Sequence, residues 1–264
     1  MDPGVIAEVG ARLASCRSIL FITGAGVSAA SGLPTYRGIG GLYEQAQTAD
    51  GVPIEVALSG EMLRRRPELT WKYIGEIERA ARGAQPNDAH RVLASFEPRF
   101  ERVWTLTQNV DGLHRAGGSE QLIEIHGDVH RLACMACGHR RVVDSYAGLT
   151  LPPRCPACGD LERPEVVLFG EQLPEHAVRL LTAQLALGFD AVLSIGTSSV
   201  FPYIAEPVLM ARRRGALTVE VNPGDTEVSP FVEVRVQAPA DAAMNAIGAA
   251  TMAALERGAG AAEG

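Results

Sequence analysis

Four of the five cysteines stand as two Cys-x-x-Cys pairs, Cys134 with Cys137 and Cys155 with Cys158, with 17 residues between the pairs. Such knuckles bring four thiolates to one tetrahedral centre, the ligand set of a structural zinc. With every position taken by sulfur, no site is left for a water that the metal could activate, so the chemistry has to come from elsewhere. His126, in Glu124-Ile125-His126-Gly127, follows an apolar run that could end a strand. An imidazole titrating near neutrality suits a general base there. A structural role is the competing reading, and it applies first to His90, His114, His130, His139 and His176. His139 follows Cys137 by two residues as a spare ligand that four sulfurs make unnecessary.

Two polar segments look built to hold a ligand. In Thr107-Gln108-Asn109-Val110-Asp111-Gly112-Leu113-His114 the closely set amides and carboxylate could bind a carboxamide or ribose hydroxyls, or Asn109 and Asp111 could simply cap the next helix. In Gly24-Ala25-Gly26-Val27-Ser28-Ala29-Ala30-Ser31-Gly32 the glycines would let the backbone approach a pyrophosphate at a helix start, or would make only a turn. The third glycine comes eight residues after the first, unlike G-x-G-x-x-G, and no acidic residue follows at the usual distance after a second strand. A hydride-transferring dehydrogenase therefore loses ground.

These segments need strands to hold them. Ser18–Thr23, Arg102–Thr107, Ala191–Gly196 and Leu217–Asn222 are short apolar runs of the kind that form buried parallel strands. Residues 5 to 16, Glu175–Leu187, Ile204–Arg214 and Ala240–Leu255 have helical spacing. The alternation predicts an α/β fold with a doubly wound, Rossmann-type parallel sheet, whose carboxyl edge is where ligands bind. Residues 44–90, helical and without a strand-like run, and 131–163, with the cysteine pairs, break the rhythm. They read as a helical module and a zinc ribbon that together form a smaller domain. That leaves 1–43, 91–130 and 164–257 to the large domain and 258–264 as a disordered tail.

Bulk composition narrows the function classes. Hydrophobic residues make up 47% and charged residues 21%, as in soluble globular proteins. The net charge of −7 gives no long-range attraction to nucleic acid or anionic lipid. No export signal opens the chain and no run of 18 apolar residues occurs. The expectation is a cytoplasmic protein with neither a nucleic-acid nor a membrane partner, in a compartment where paired cysteines bind metal in preference to forming disulfides.

Taken in order, the motifs resemble those of the sirtuins, NAD-dependent protein deacylases. The likeness runs from Ile19 to about Asn222 and takes in the glycine segment, Pro34-Thr35-Tyr36-Arg37-Gly38, the 107–114 segment and His126-Gly127. It continues through the cysteine pairs, Pro164-Glu165-Val166-Val167-Leu168-Phe169-Gly170-Glu171, Gly196-Thr197-Ser198 and Val219-Glu220-Val221-Asn222-Pro223. The resemblance implies that NAD is consumed as a co-substrate, that the partners are proteins carrying acylated lysines, and that one zinc is structural.

It also implies residue roles. Gly24, Ala25, Gly26, Ser28, Tyr36 and Arg37 would contact NAD on its phosphate and ribose side, and Gly196, Thr197, Ser198 and Asn222 on its adenosine half. Gln108, Asn109 and Asp111 would position the nicotinamide ribose and carboxamide, with Asn109 and Asp111 joining His126 as catalytic residues. Val167, Phe169, Gly170 and Glu171 would meet the substrate peptide as an added strand. His126 would take a proton from a ribose hydroxyl after nicotinamide has left, giving free lysine, nicotinamide and O-acyl-ADP-ribose.

Members that prefer succinyl groups carry a Tyr-x-x-Arg pair in the helical module; here Tyr73 is followed at that distance by Glu76, which favours acetyl or longer apolar acyl groups. Ser199-Val200-Phe201-Pro202 departs from the usual continuation of the Gly196-Thr197-Ser198 motif and has no functional reading from sequence. Competing readings are mono-ADP-ribosyl transfer or NAD hydrolysis at the same site, and a zinc-ribbon binding module that would leave the glycine and amide segments idle. Arg64-Arg65-Arg66 and Arg212-Arg213-Arg214 read as solvated helix faces.

Overall fold

The computed structural model describes residues 1–34 and 48–262. Its strands are β1 (Ser18–Thr23), β2 (Arg102–Thr107), β3 (Leu122–Glu124), β4 (Gly127–Cys134), β5 (Arg140–Val142), β6 (Glu162–Val166), β7 (Ala191–Ile195), β8 (Leu217–Val221) and β9 (Val234–Val236). The α-helices are α1 (Pro3–Ala14), α2 (Ala25–Ser28), α3 (Ile54–Ala57), α4 (Gly60–Arg65), α5 (Pro67–Ala81), α6 (Asp88–Phe96), α7 (Leu113–Ala116), α8 (Glu175–Leu187), α9 (Pro202–Arg213) and α10 (Ala240–Ala262).

Six strands pair in the order β3-β2-β1-β7-β8-β9, every pair parallel. The winding reverses between β1 and β7, and a crevice opens beyond the carboxyl ends of strands at such a point. The sheet is covered on both faces, which is why its strands read as continuous apolar runs. Ile19 and Phe21 of β1 pack with α1, α6 and α10, whereas Leu20 and Ile22 point the other way into a cluster with α8 and α9. Register fixes the working edge: Thr23 lies level with Thr107 and Ile195, Thr107 with Glu124, and Ile195 with Val221. The residues that follow these strand ends, Gly24, Gln108, Ile125, Gly196 and Asn222, are thereby brought side by side.

A second sheet, β5-β4-β6, is antiparallel. A third apolar cluster joins it to the helices of the 54–81 region through Leu63, Trp71, Ile74, Leu132, Tyr146 and Leu168. Trp71 donates its indole N–H to the Glu162 carbonyl at 3.0 Å. The Glu162 carboxylate is itself fully buried and is neutralised by Arg141 at 2.6 Å.

Several expected boundaries move. The edges at 90/91, 130/131 and 163/164 fall inside α6, β4 and β6. Asn87 caps α6, accepting from the Ala89 amide, and Ala89 already packs in the large core, so the helix belongs there although its first three residues precede the expected edge. The cysteine-bearing sheet is continuous with a strand that begins beside His126, and its prolines and glycines concealed that continuity. The tail expected to be disordered from 258 is helical through Ala262.

Gly127 illustrates how tightly β4 and β6 meet. Its φ is +82°, and a Cβ there would sit 1.8 Å from the Glu165 carbonyl oxygen. Gly127→Ala is expected to destabilise the protein by about 2 kcal/mol or more, measured by denaturant unfolding, because backbone strain and overlap coincide.

Among the described residues no helix is long and apolar enough to cross a membrane.

Candidate active site

The loops after β1, β2, β3 and β7 converge on one edge. At the β1 loop, Gly24 N–H donates to the Ile195 carbonyl (3.3 Å) and Gly26 N–H to the Gly196 carbonyl (2.8 Å). A Cβ on Gly24 would lie 2.7 Å from Thr197 Cβ, and one on Gly26 2.8 Å from Gly196 Cα. The glycines are therefore demanded by contact between two loops of the protein. Their role as an open cradle for a pyrophosphate is secondary, since both amides are already engaged.

Asn109, 5% exposed, donates its amide N–H to the Gly24 carbonyl and to Ser28 Oγ, each at 3.1 Å. Ser28 donates onward to Asp111 Oδ2 at 2.7 Å, and Asp111 Oδ1 accepts from the Leu113 amide at 2.9 Å. Asp111 thus holds the first amide of α7, whose N-cap is Gly112, and also lines the cleft. Burial raises the Asp111 pKa, more than its two hydrogen bonds lower it. Asn109 Oδ1 is buried without a partner among the described residues. Asn109 lines a cleft whose polar residues are Ser28, Asn109 and Asp111 and whose apolar residues include Leu33, Ile77, Ala80, Ala81, Val110 and Val129. An orphaned acceptor beside apolar surface fits a flat carboxamide-bearing ring, because a buried acceptor is costly until a donor arrives.

His126 stands one residue past Ile125, whose amide donates to the Thr107 carbonyl at 3.0 Å. His126 Nδ1 lies 3.1 Å from the Gln108 carbonyl oxygen and Nε2 lies 2.7 Å from the Tyr203 hydroxyl. A carbonyl only accepts, so the proton sits on Nδ1 and Nε2 carries the lone pair, the form a general base requires. Burial lowers the His126 pKa, and the Gln108 carbonyl offsets part of that. Gln108 also donates its side-chain amide to Thr197 Oγ1 at 2.8 Å. Asn222 donates to the Thr197 carbonyl at 3.2 Å, tying the β8 end to the β7 turn, where Ser198 is exposed.

The segment after β6 forms the neighbouring wall. Val167 N–H donates to the His126 carbonyl at 2.9 Å, Phe169 N–H to the Leu58 carbonyl at 3.0 Å, and Gly60 N–H to the Phe169 carbonyl at 3.1 Å. The Glu171 carboxylate takes both Arg163 nitrogens at 2.7 and 2.8 Å and the Leu168 amide at 3.0 Å. Its charge is paired with Arg163 of β6, which fixes the shape of the segment. Gly170 is exposed at the turn. Tyr36 and Arg37 lie outside the described residues.

The four cysteine sulfurs lie within 4.8 Å of one another, with Cys134 to Cys158 at 3.4 Å and Cys137 to Cys155 at 3.7 Å. Sulfurs on a zinc tetrahedron with bonds of about 2.3 Å are about 3.8 Å apart, so the set fits that metal. Backbone N–H groups of Ala136 and Cys137 point at Cys134 Sγ and that of Ala157 at Cys155 Sγ, each at 3.4 Å, which stabilises thiolate charge. His139 is exposed and not part of this cluster.

Sequence reading missed Tyr203, Phe201, Ile77, Ala80 and Arg163, all of which touch the site or its supports. No local pattern marks them, because each acts across a fold-dependent contact.

The profile of the Sir2 family matches residues 24–202. A protein named NAD-dependent protein deacylase 2 from Pseudomonas aeruginosa is 51% identical over 234 residues, 88% of this chain and 91% of the relative. Among solved structures, a Sir2 homologue in complex with NAD superposes with a TM-score of 0.83 at 31% identity, covering 97% of this chain and 95% of that one. A Sir2 bound to a deacetylated p53 peptide and 3'-O-acetyl ADP-ribose superposes at 0.81 with 27% identity, covering 94% and 97%.

Proposed function

The chain belongs to the Sir2 family and is an NAD-dependent protein deacylase, and we propose that His126 is its general base, working on acyl-lysine substrates between two domains. The observation that carries the assignment is the His126 ring itself: proton fixed on Nδ1 by Gln108, lone pair on Nε2, at the strand edge where the amide cluster gathers.

NAD supplies an activated ribose whose cationic nicotinamide departs as a neutral molecule. The chain's part is to bind and orient, which suits a reaction helped chiefly by positioning. Asn109 and Asp111 hold the nicotinamide side, the first through its orphaned acceptor and the second through a carboxylate already ordered by Ser28. Gln108 joins them at the nicotinamide ribose, and Gly196, Thr197, Ser198 and Asn222 around the neighbouring turn hold the adenosine half. Gly24, Ala25, Gly26 and Ser28 provide the loop it crosses, joined by Tyr36 and Arg37. His126 then accepts a proton at Nε2. Products are the free lysine, nicotinamide and O-acyl-ADP-ribose, and zinc, held by Cys134, Cys137, Cys155 and Cys158, keeps the small domain folded.

Val167, Phe169 and Gly170 meet the substrate peptide, while Glu171 acts through Arg163. The small domain comprises the 54–81 helices and the cysteine-bearing sheet, supported by the cluster they share. The enzyme works in the cytoplasm, where four thiols stay reduced for metal.

In α5 Tyr73 is followed three residues later by Glu76, a carboxylate that repels an acidic acyl group where an arginine would pair with it. Incubation with NAD and a panel of acyl-lysine peptides, read by mass, should show removal of acetyl or longer apolar acyl groups ahead of succinyl. Preferential desuccinylation would reverse that part of the reading. Nicotinamide release at full rate without any acylated peptide would instead favour NAD hydrolysis.

A further inference from the structure

The stretch after Gly196-Thr197-Ser198 that carried no reading from sequence ends against the general base. Ser199 sits at φ +54°, uncommon for a residue with a side chain, and is held there by its amide to Thr197 Oγ1 and its hydroxyl to Ser194 Oγ, each at 3.2 Å. The turn it makes starts α9 at Pro202 and places Phe201 and Tyr203 over His126. Phe201 and Tyr203 stack with centroids 5.4 Å apart and planes 11° apart, and both meet the imidazole edge to face, at 6.0 and 5.9 Å.

We propose that Tyr203 is a positioning residue for the reaction, its phenol O–H filling the Nε2 lone pair of His126 in the substrate-free enzyme and yielding it to a substrate hydroxyl on binding. The bond is 2.7 Å long, and with the proton on Nδ1 the phenol is its donor. Both ring nitrogens are then anchored, so rotamer and tautomer are set before substrate arrives. The exchange replaces one hydroxyl donor by another, and the buried lone pair is satisfied before and after it. Around the ring the start of α9 gives Tyr203, the turn before it Phe201 and the end of β2 the Gln108 carbonyl. The shift at His126 arises from burial and that carbonyl, with no charged contributor. Burial raises Tyr203 to about 12, which keeps the phenol protonated at neutral pH.

The inference rests on His126 being the proton acceptor, and two measurements separate the claims. In the full chain without NAD, nitrogen NMR of the imidazoles should show His126 as the Nδ1–H tautomer. Tyr203→Phe, which keeps the aromatic stack, should raise its pKa by roughly half to one pH unit, the scale of one hydrogen bond to a neutral group. The acidic limb of kcat/KM, which reports the free enzyme, should move with it, while that of kcat, which reports the bound complex, stays. An Nε2–H tautomer in the unsubstituted protein, or an unmoved pKa in the variant, overturns the proposal. So does a kcat limb that moves in step, for the phenol would then never leave. Near-normal deacylation by His126→Ala would instead remove the base assignment while leaving the NMR result standing.

Discussion

Replacing His126 with alanine is expected to lower deacylation turnover by roughly 10²-fold or more, the scale of a lost general base. The variant should fold, because the ring is half-buried at a strand end and its main-chain bond to Val167 survives the substitution. The effect should fall on the step in which a hydroxyl proton is accepted. KM for NAD should change little, because the hydrogen bonds that join Asn109, Ser28 and Asp111 do not involve the imidazole. The unsubstituted enzyme should also show the environment of its base in its pH profile. Burial holds the His126 pKa below that of an ordinary imidazole, and a base must be neutral to act. The acidic limb of kcat/KM, which reports the free enzyme, should therefore lie below that of an ordinary imidazole. Steady-state kinetics on an acetylated peptide tests both points, and near-normal turnover by His126→Ala would refute the assignment.

The second large effect is expected at the cysteines. Cys155→Ser removes a buried ligand, 3% exposed, from a four-thiolate set, and zinc binding in such sites is inseparable from folding. In isolated zinc-finger peptides the apparent binding free energy is roughly 10–16 kcal/mol, so even a fraction of it exceeds what a small domain can lose and remain folded. The variant should carry far less than one zinc per chain by elemental analysis and should melt well below the parent. Activity should fall as well, because β6 runs directly into the 167–171 wall beside His126 and because Trp71, from the helical module, is bonded to the β6 backbone. The decisive comparison is replacement of zinc by another tetrahedral ion with the fold retained. A structural metal predicts that deacylation survives the exchange; loss of activity with the melting temperature unchanged would mean that the ion takes part in the chemistry.

Long elements were legible because each carries its own signal. Glu175–Leu187 was read to the residue, and the runs forming β1, β2, β7 and β8 were read to within one. The strands β3 and β9, three residues each, are too short for a period to emerge, and only their neighbours in the sheet make them strands. The domain edges misplaced inside α6, β4 and β6 have a similar cause: composition changes gradually along the chain, whereas membership of a core is decided by contacts that sequence does not display.

The candidate site divides in the same way. Gly24, Gly26, Gln108, Asn109, Asp111, His126, Gly196 and Asn222 stand in short motifs at strand ends, so their convergence followed from reading the strands as one parallel sheet. Glu171 was readable as a motif residue, but its commitment to Arg163 was not. The glycines were recognisable as necessary, but the reason, two loops of the same chain in backbone contact, appears only once β1 and β7 are adjacent.

By itself the sequence determined the chemical inventory: four thiolates spaced for zinc, an imidazole after an apolar run, amides and a carboxylate at a strand end, and apolar periods sufficient for a doubly wound sheet. Only the tertiary structure decided which atom of that inventory does what. The tautomer of His126 depends on a carbonyl 18 residues away and its lone pair on a phenol 77 residues away. Hydrogen bonds act over about 3 Å and take no account of separation along the chain, so such roles are fixed by strand order and register and leave no trace in local spacing.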